Sequence, residues 1–416
     1  MHSDVRRDHP YASAGASCRC VEEEAIPVEI LDHFPATIPS ILTVQQVMQA
    51  NFPELWREVD LGLAVYGTLL LADTVNCPAV IFVTVASGGK TTVLEILDHN
   101  RKSYRSDDFT PAAFVTQAAN RTAEDLAKID LLPRIKHRVL LTPDLGATFR
   151  GKDDDLTDRF KVLTRVLDGR GYMRDSGSQG QRGYNGDYLF GWLGGTTPFK
   201  PIVWEVMSTL GNRLFFWPMR DADDETEDDL MALDCLAPYD VRRDACQAAV
   251  RTFLNQLIET LKVRGVKWVP EDDPEPLRRW ITRCAMLVSH ARSMRQDEET
   301  KRESARRARA VLLSIARGHA VVHERRQITA DDVRLIVPLT VGSLPPRQAR
   351  LFKALAVGKS LSRRVLADVI GRKDGRTVDT EVAPLVSSGI TAWKKSVLEF
   401  TERFEWCNHP DLLGLL

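Results

Sequence analysis

The segment Ile81-Phe-Val-Thr-Val-Ala-Ser-Gly-Gly-Lys-Thr-Thr-Val93 constrains the fold more than any other part of the chain. An apolar run breaks into two glycines, a lysine and two threonines before apolar residues resume. This reads as a buried strand over 80–85 that turns tightly into a helix over 91–99. Such a turn suits the phosphates of a nucleotide. Gly88 and Gly89 let backbone N–H groups approach the oxygens, and the helix aims the positive end of its dipole at the anion. Lys90 reaches the β/γ-phosphates, the Thr91 hydroxyl can ligate Mg²⁺, and Ser87 and Thr92 flank the cradle. The pattern G-x-x-x-x-G-K-[ST] finds Thr84 at its first glycine, while Gly89, Lys90 and Thr91 fit. An ordinary turn is the plain alternative.

A chain of 416 residues has room for two to four domains with sizeable cores. A net charge of −1 excludes a globally basic nucleic-acid binder, so any such surface is a local patch. Seven cysteines, an odd count without repeated C-x-x-C pairs, favour reduced thiols and a cytoplasmic setting. Cys18 and Cys20 form a C-x-C without a second ligand pair. The longest apolar stretch, 61–72, is too short to span a bilayer, and the first residues hold no apolar signal region. Neither membrane nor export is expected.

Residues 1–38 lack periodicity and read as a disordered tail. A helical segment follows over 39–74, with Val47, Phe52, Leu55, Trp56, Val59 and Leu63 at three- and four-residue steps and Pro53 dividing it into two helices. Beyond the glycine turn come a strand near 103–105, a helix over 122–131 and an apolar strand over 137–146 that carries Asp144. In a parallel α/β sheet ligands bind beyond the carboxyl ends of strands, so Asp144 is placed to hold Mg²⁺ or polarise a water. Aligned on an acid pair, Asp144 takes either the first or the second place. The other falls on Leu145 or Pro143, so one carboxylate is missing and slow hydrolysis is expected. An amphipathic helix over 154–168 buries Leu156, Phe160, Leu163, Val166 and Leu167. Then come a glycine-rich hairpin over 169–184 flanked by Tyr172 and Tyr184, a strand over 187–197, a helix over 201–210 ending before Arg213, and a strand over 214–217.

This order of glycine-turn strand, acid-ended strand, helix, hairpin, strand ending Thr196-Thr197-Pro198, and helix ending in Arg213 resembles the AAA+ ATPases. The hairpin just before the Thr-Thr strand is similar to that of the clade containing MCM-type helicases, enhancer-binding activators and MoxR-like ATPases. The resemblance spans roughly residues 40–340. It implies an α/β P-loop NTPase (AAA+ αβα sandwich) over 75–222 with a helical lid over 223–342, binding ATP and Mg²⁺. It also implies that Thr196 or Thr197 senses the γ-phosphate, and that Arg213 reaches the nucleotide of a neighbouring subunit in a homo-oligomeric ring, expected to be a hexamer. The plain alternatives are strand-ending turn residues for the threonines and a surface arginine for Arg213.

Residues 221–229 read as an acidic, solvated connector, followed by helices over 241–264, 276–294 and 301–323 and a short helix capped by Thr329. By the same resemblance Arg307, with Arg306 as alternate, falls at the lid arginine aimed at the γ-phosphate. Residues 343–416 hold twelve Lys/Arg against eight Asp/Glu. Their helices over 348–356, 362–370 and 378–387, then two strand-like stretches over 390–393 and 397–404, follow the winged-helix plan. Arg372, Lys373, Arg376, Lys394 and Lys395 fall at its turn and wing, and Arg174 and Arg182 near the hairpin tip, as DNA-phosphate contacts. The expected activity is a DNA-acting, helicase-like motor. A MoxR-like chaperone acting on a protein partner and a low-turnover nucleotide switch are the rivals.

Overall fold

The computed structural model describes residues 39–116, 121–176, 180–211, 213–220, 226–296, 299–301, 303–371 and 375–414. The expected tail over 1–38, the hairpin apex over 177–179, and Arg372 and Lys373 lie outside these residues.

Two helices open the described chain, α1 (Leu42–Asn51) and α2 (Trp56–Thr68), with Pro53 starting a short 3₁₀ turn between them. The sheet region then runs β1 (Ala79–Val83), α3 (Lys90–Leu97), β2 (Ser103–Arg105), α4 (Ala123–Ile129), α5 (Leu131–Ile135), β3 (Val139–Thr142) and α6 (Asp153–Val166). It continues with β4 (Gly171–Ser176), β5 (Gly180–Asn185), β6 (Gly191–Thr196), α7 (Pro201–Leu210) and β7 (Leu214–Pro218). The five strands β2-β3-β6-β1-β7 form one parallel sheet in that order. The strand after the glycine turn is therefore not its neighbour: the chain crosses to the far edge and works back.

Alternation along each strand decides what packs on which face. Val80 and Phe82 of β1, Leu193 of β6, and Phe215 and Trp217 of β7 join a core shared with α1, α2 and α3. Ala79, Ile81, Leu140, Trp192 and Phe216 face the opposite way, onto α5, α6 and α7. With both faces covered, the strands are nearly continuous apolar runs, as parallel sheets require. The α/β sandwich expected from the sequence is present.

The short α8 (Glu227–Ala232) leads into four longer helices: α9 (Tyr239–Leu261), α10 (Glu275–Ala291) and, after the small hairpin β8 (Met294–Gln296) and β9 (Glu299–Lys301), α11 (Ala305–Val322) and α12 (Ala330–Gly342). They do not stand apart from the sheet. α9 packs on α1 and α3, α12 on β7, and α11 along α2. The N-terminal segment is likewise no appendage, because α2 is buried from Leu61 to Thr68 between sheet and helices. The last region holds α13 (Pro346–Gly358), β10 (Ser360–Ser362), α14 (Arg363–Ile370), α15 (Gly375–Ser387), β11 (Thr391–Lys394), β12 (Val397–Phe400) and α16 (Pro410–Leu413). Its three strands form an antiparallel sheet in the order β10-β12-β11.

Several expected boundaries shift for local reasons. The helix expected over 122–131 splits at Asp130, whose carboxylate takes the Thr116 N–H at 2.8 Å and the Tyr184 hydroxyl at 2.7 Å. The acidic connector runs into α8 by Glu227. The strand expected to reach residue 404 stops at Phe400 and becomes a 3₁₀ segment, Glu402–Asn408. β8, β9 and β10 are too short for a periodicity signal. Among the described residues the cysteines Cys77, Cys235, Cys246, Cys284 and Cys407 are free, and no helix is long and apolar enough to cross a membrane.

The α2–α11 contact is made by main chain. A Cβ on Gly67 would stand 2.2 Å from the Gly318 carbonyl oxygen, and a Cβ on Gly318 2.3 Å from that of Ala64. Neither obstacle is a side-chain end that could swing away. Gly67→Ala and Gly318→Ala should each lower stability by about 2–3 kcal/mol, measured by urea unfolding.

Candidate functional site

At the carboxyl end of β1 the chain makes the turn that the sequence singled out. Ser87 has φ +64°, Gly89 φ +83°, and Gly88 between them has no positive φ. Alternation of this kind curls successive N–H groups toward one concavity, the geometry of an anion nest, and Gly89 caps the N-terminus of α3. The unexpected Thr84 has a packing role. A Cβ on Gly88 would lie 2.4 Å from the Thr84 methyl carbon, so Thr84 fills the space beneath a glycine that must stay bare. The Thr84 hydroxyl donates to the Arg220 carbonyl at 3.2 Å, fixing it there.

Lys90 lies over the turn, its Nζ donating to the carbonyl oxygens of Thr84 at 3.0 Å and Val85 at 2.6 Å. Burial draws its ammonium below the ordinary lysine value, and the charge of Asp144 acts in the opposite sense. The two residues therefore share one electrostatic environment. Thr91 is exposed, whereas Thr92 is turned away and shares a 2.9 Å hydrogen bond with the Tyr239 hydroxyl of α9. Of the cradle residues Thr92 alone is engaged by a helix outside the turn.

β6 lies between β1 and β3, so its end separates the glycine turn from Asp144. Strand spacing sets β1 and β3 roughly 10 Å apart. Gly195 permits this closeness: a Cβ there would meet the Pro143 carbonyl at 2.6 Å and Lys90 Cβ at 3.2 Å. Asp144 is exposed, its carboxylate accepting the Gly146 N–H at 2.7 Å in a local turn, while Leu145 is buried. Thr196 is buried, with its hydroxyl on the Thr197 carbonyl at 3.0 Å, and its own carbonyl takes the Thr84 N–H at 3.3 Å. Thr197 is half-buried and lines a 390 Å³ cavity with Thr196, Gly146, Arg150 and Lys200.

Arg213 and Arg307 lie at the other edge of the sheet. Arg213 precedes β7, whose first residue Leu214 pairs with Ala79 at the start of β1. A five-residue strand separates it from the glycine turn by about 16 Å. Arg213 Nε lies 3.3 Å and Arg307 Nη2 3.2 Å from the same oxygen of Asp168, and Glu303 is 3.8 Å from Arg213. Burial, and after it the Arg307 guanidinium, holds Arg213 below the ordinary arginine value against the pull of Asp168 and Glu303. Arg306 is exposed, so Arg307 is the member of the pair that faces the body of the protein. The sequence missed Asp168, the acid that gathers both arginines; it closes an amphipathic helix and looks like any solvated helix-end residue.

The hairpin of β4 and β5 stands at this same edge, rooted after α6 and before β6. Tyr172 faces Tyr184 and Arg174 faces Arg182 across the ladder. Like charges directly opposite each other are unfavourable in a strand pair. In the C-terminal region, Lys394 is exposed but pairs with Glu399 at 3.0 Å, and Lys395 sits in the β11–β12 turn with φ +56°. Arg376 is the second residue of α15.

No family model matches the chain, and no curated protein gives a match to it.

Asp168→Ala should leave two guanidiniums facing each other and cost about 2 kcal/mol. Adding Arg307→Ala should then cost less than it does alone, a coupling that a double-mutant cycle by urea unfolding detects.

Proposed function

We propose that this chain binds ATP with Mg²⁺ and hydrolyses it as an AAA+-type ATPase whose sites form between neighbouring copies. The observation that carries this is the split of its chemistry between two edges of one parallel sheet. Glycine turn, Lys90, Thr91, Asp144 and Thr196 converge at the strand ends, and Arg213 and Arg307 wait together at the strand starts. Within one chain the two groups cannot meet. A head-to-tail association, which closes into a ring when its rotation closes, sets one edge against the other.

The residues present suit the ligands. Backbone N–H groups of 87–91 and Lys90 would hold the phosphates, with Lys90 exchanging its two carbonyl partners for phosphate oxygens. Thr91 and Asp144 would hold Mg²⁺, whose charge offsets that of the phosphate oxygens. Thr196 or Thr197 would orient the water, and Arg213 would complete the site of the adjoining copy, the ring size being that of the resembled hexamers. Arg307 shares the acid of Arg213, so its role is assigned to the same neighbour and not to the chain's own phosphates.

DNA is the proposed polymer. Arg174 and Arg182 on the hairpin suit backbone phosphates, and three helices with a β10-β12-β11 sheet match the winged-helix plan, with Arg376, Lys394 and Lys395 at its turn and wing. The setting is cytoplasmic. A second reading, a slowly turning nucleotide switch, draws on Leu145 and Pro143: the positions flanking Asp144 hold a buried leucine and a proline, and no second carboxylate.

Lys90→Ala should lose nucleotide binding, whereas Arg213→Ala should keep binding and lose turnover. Each alone should be inactive as an ATPase, and mixing the two should restore activity, because mixed rings contain intact turn–arginine pairs. Absence of recovery in mixed oligomers verified by mass would remove the shared-site proposal.

DNA should raise the ATPase rate, and Arg174→Ala with Arg182→Ala should flatten the salt dependence of DNA binding, by roughly one unit of log K against log salt for each lost phosphate contact. Fluorescence anisotropy over a salt series measures this. No stimulation by DNA would favour a protein substrate.

A further inference from the structure

Near the α2–α11 crossing, three side chains offer one donor atom each to a common point. His319 on α11 and His323, which caps its C-terminus, lie one turn apart, with ring centroids 4.3 Å apart. Their Nε2 atoms stand 3.0 Å and 2.8 Å from the two oxygens of a single carboxylate, Asp60 on α2. All three donor atoms fall within 4.8 Å of one another. The other nitrogen of His319 faces Asp332 Oδ1 at 2.5 Å. Asp332 is itself fixed, taking Arg325 at 2.6 Å and 3.0 Å and the Thr329 N–H at 2.6 Å.

We propose that Asp60, His319 and His323 bind a divalent transition-metal ion of the zinc class, with Asp332 orienting His319 from behind. Two imidazoles and a carboxylate with a fourth position left to water form a common donor set for zinc, with metal–donor lengths near 2.0–2.1 Å. Donors at the corners of such a tetrahedron are about 3.3 Å apart. The 3.0 Å and 2.8 Å contacts run to different oxygens of Asp60, so to share one ion the carboxylate turns one oxygen between the rings, and the three donors, now within 4.8 Å of one another, adjust to that spacing. A ligating histidine whose second nitrogen is held by a carboxylate is the usual outer arrangement of zinc sites, and Asp332 supplies it. Calcium and magnesium do not fit, since they favour all-oxygen shells. His319 is 4% and His323 22% exposed at the side chain, so an ion would enter on the His323 side.

The competitor is a proton. Burial alone would lower His319, but its hydrogen bonds to Asp332 and Asp60, and their charges, outweigh burial and hold it at about 9. An ion must displace that proton, which weakens apparent binding at neutral pH by about a hundred-fold. The site lies some twelve residues along α11 from Arg307, about 18 Å away.

The test uses the full chain after dialysis against a chelator, with Co²⁺ as a visible probe and Zn²⁺ as competitor. One equivalent of Co²⁺ should bind with the visible absorption of a low-coordinate nitrogen–oxygen site, without a thiolate charge-transfer band, and Zn²⁺ should displace it. His323→Gln keeps the His319–Asp332–Arg325 contacts and should weaken Co²⁺ binding at least tenfold, with the far-ultraviolet circular dichroism unchanged. Asp332→Asn should weaken it 10–100-fold. No visible band on folded protein, a band with thiolate character, or undiminished binding by His323→Gln would each overturn the proposal and leave the cluster as an ion-paired latch.

Discussion

Direct backbone contact between α2 and α11 is the constraint on which the molecule depends. Gly67 and Gly318 leave no side chain between the helices, so each main chain forms the other's packing surface. Polar groups along α11 then fix its register. Arg317 reaches Asp73 and the buried Asp273, both at 3.0 Å, and Asp273 also takes the Trp268 indole and the Ile328 N–H. His319 and His323 reach Asp60, the residue just before the buried stretch of α2. Buried charges are costly unless paired, and here each is met by a partner from a different part of the chain.

Because α2 also lies on the sheet, this crossing carries the position of the helices to the strands. α11 starts beside Asp168 and Arg213 at one edge of the sheet and ends beside Asp60 on α2. α12 then packs on β7, whose ends bear Arg213 and the residues next to the glycine turn. A 540 Å³ cavity between Val83, Thr84 and Met219 on the sheet side and Arg350 and Lys353 of α13 adjoins that turn. The last region and the glycine-turn end of the sheet therefore line one cavity. Arg213 and the glycine turn, by contrast, are held apart by the length of β1 and β7.

Much of this plan was legible in the residues themselves. Apolar runs ending in Gly88-Gly89-Lys90, in Asp144 and in Thr196 announced parallel strands, because a strand covered on both faces cannot alternate. The amphipathic period of 154–168 predicted α6 face by face. The hairpin was legible from glycines and paired tyrosines, and Tyr172 does face Tyr184. Short strands such as β8, β9 and β10 were not, since three residues carry no period. Thr92 could not be told from Thr91, because its partner Tyr239 is 147 residues away.

Local chemistry, then, is what the sequence by itself determined: which segments become strands and helices, where turns need glycine, and which side chains could meet an anion. Propensity, periodicity and turn geometry act over a few residues, and these are readable along the chain. Tertiary structure alone decided the insertion of β6 between β1 and β3, the gathering of Arg213 and Arg307 on Asp168, and the meeting of Asp60 with His319 and His323. Those arrangements depend on contacts between residues tens to hundreds of positions apart. Strand order and helix crossing create them, and neither leaves a local mark.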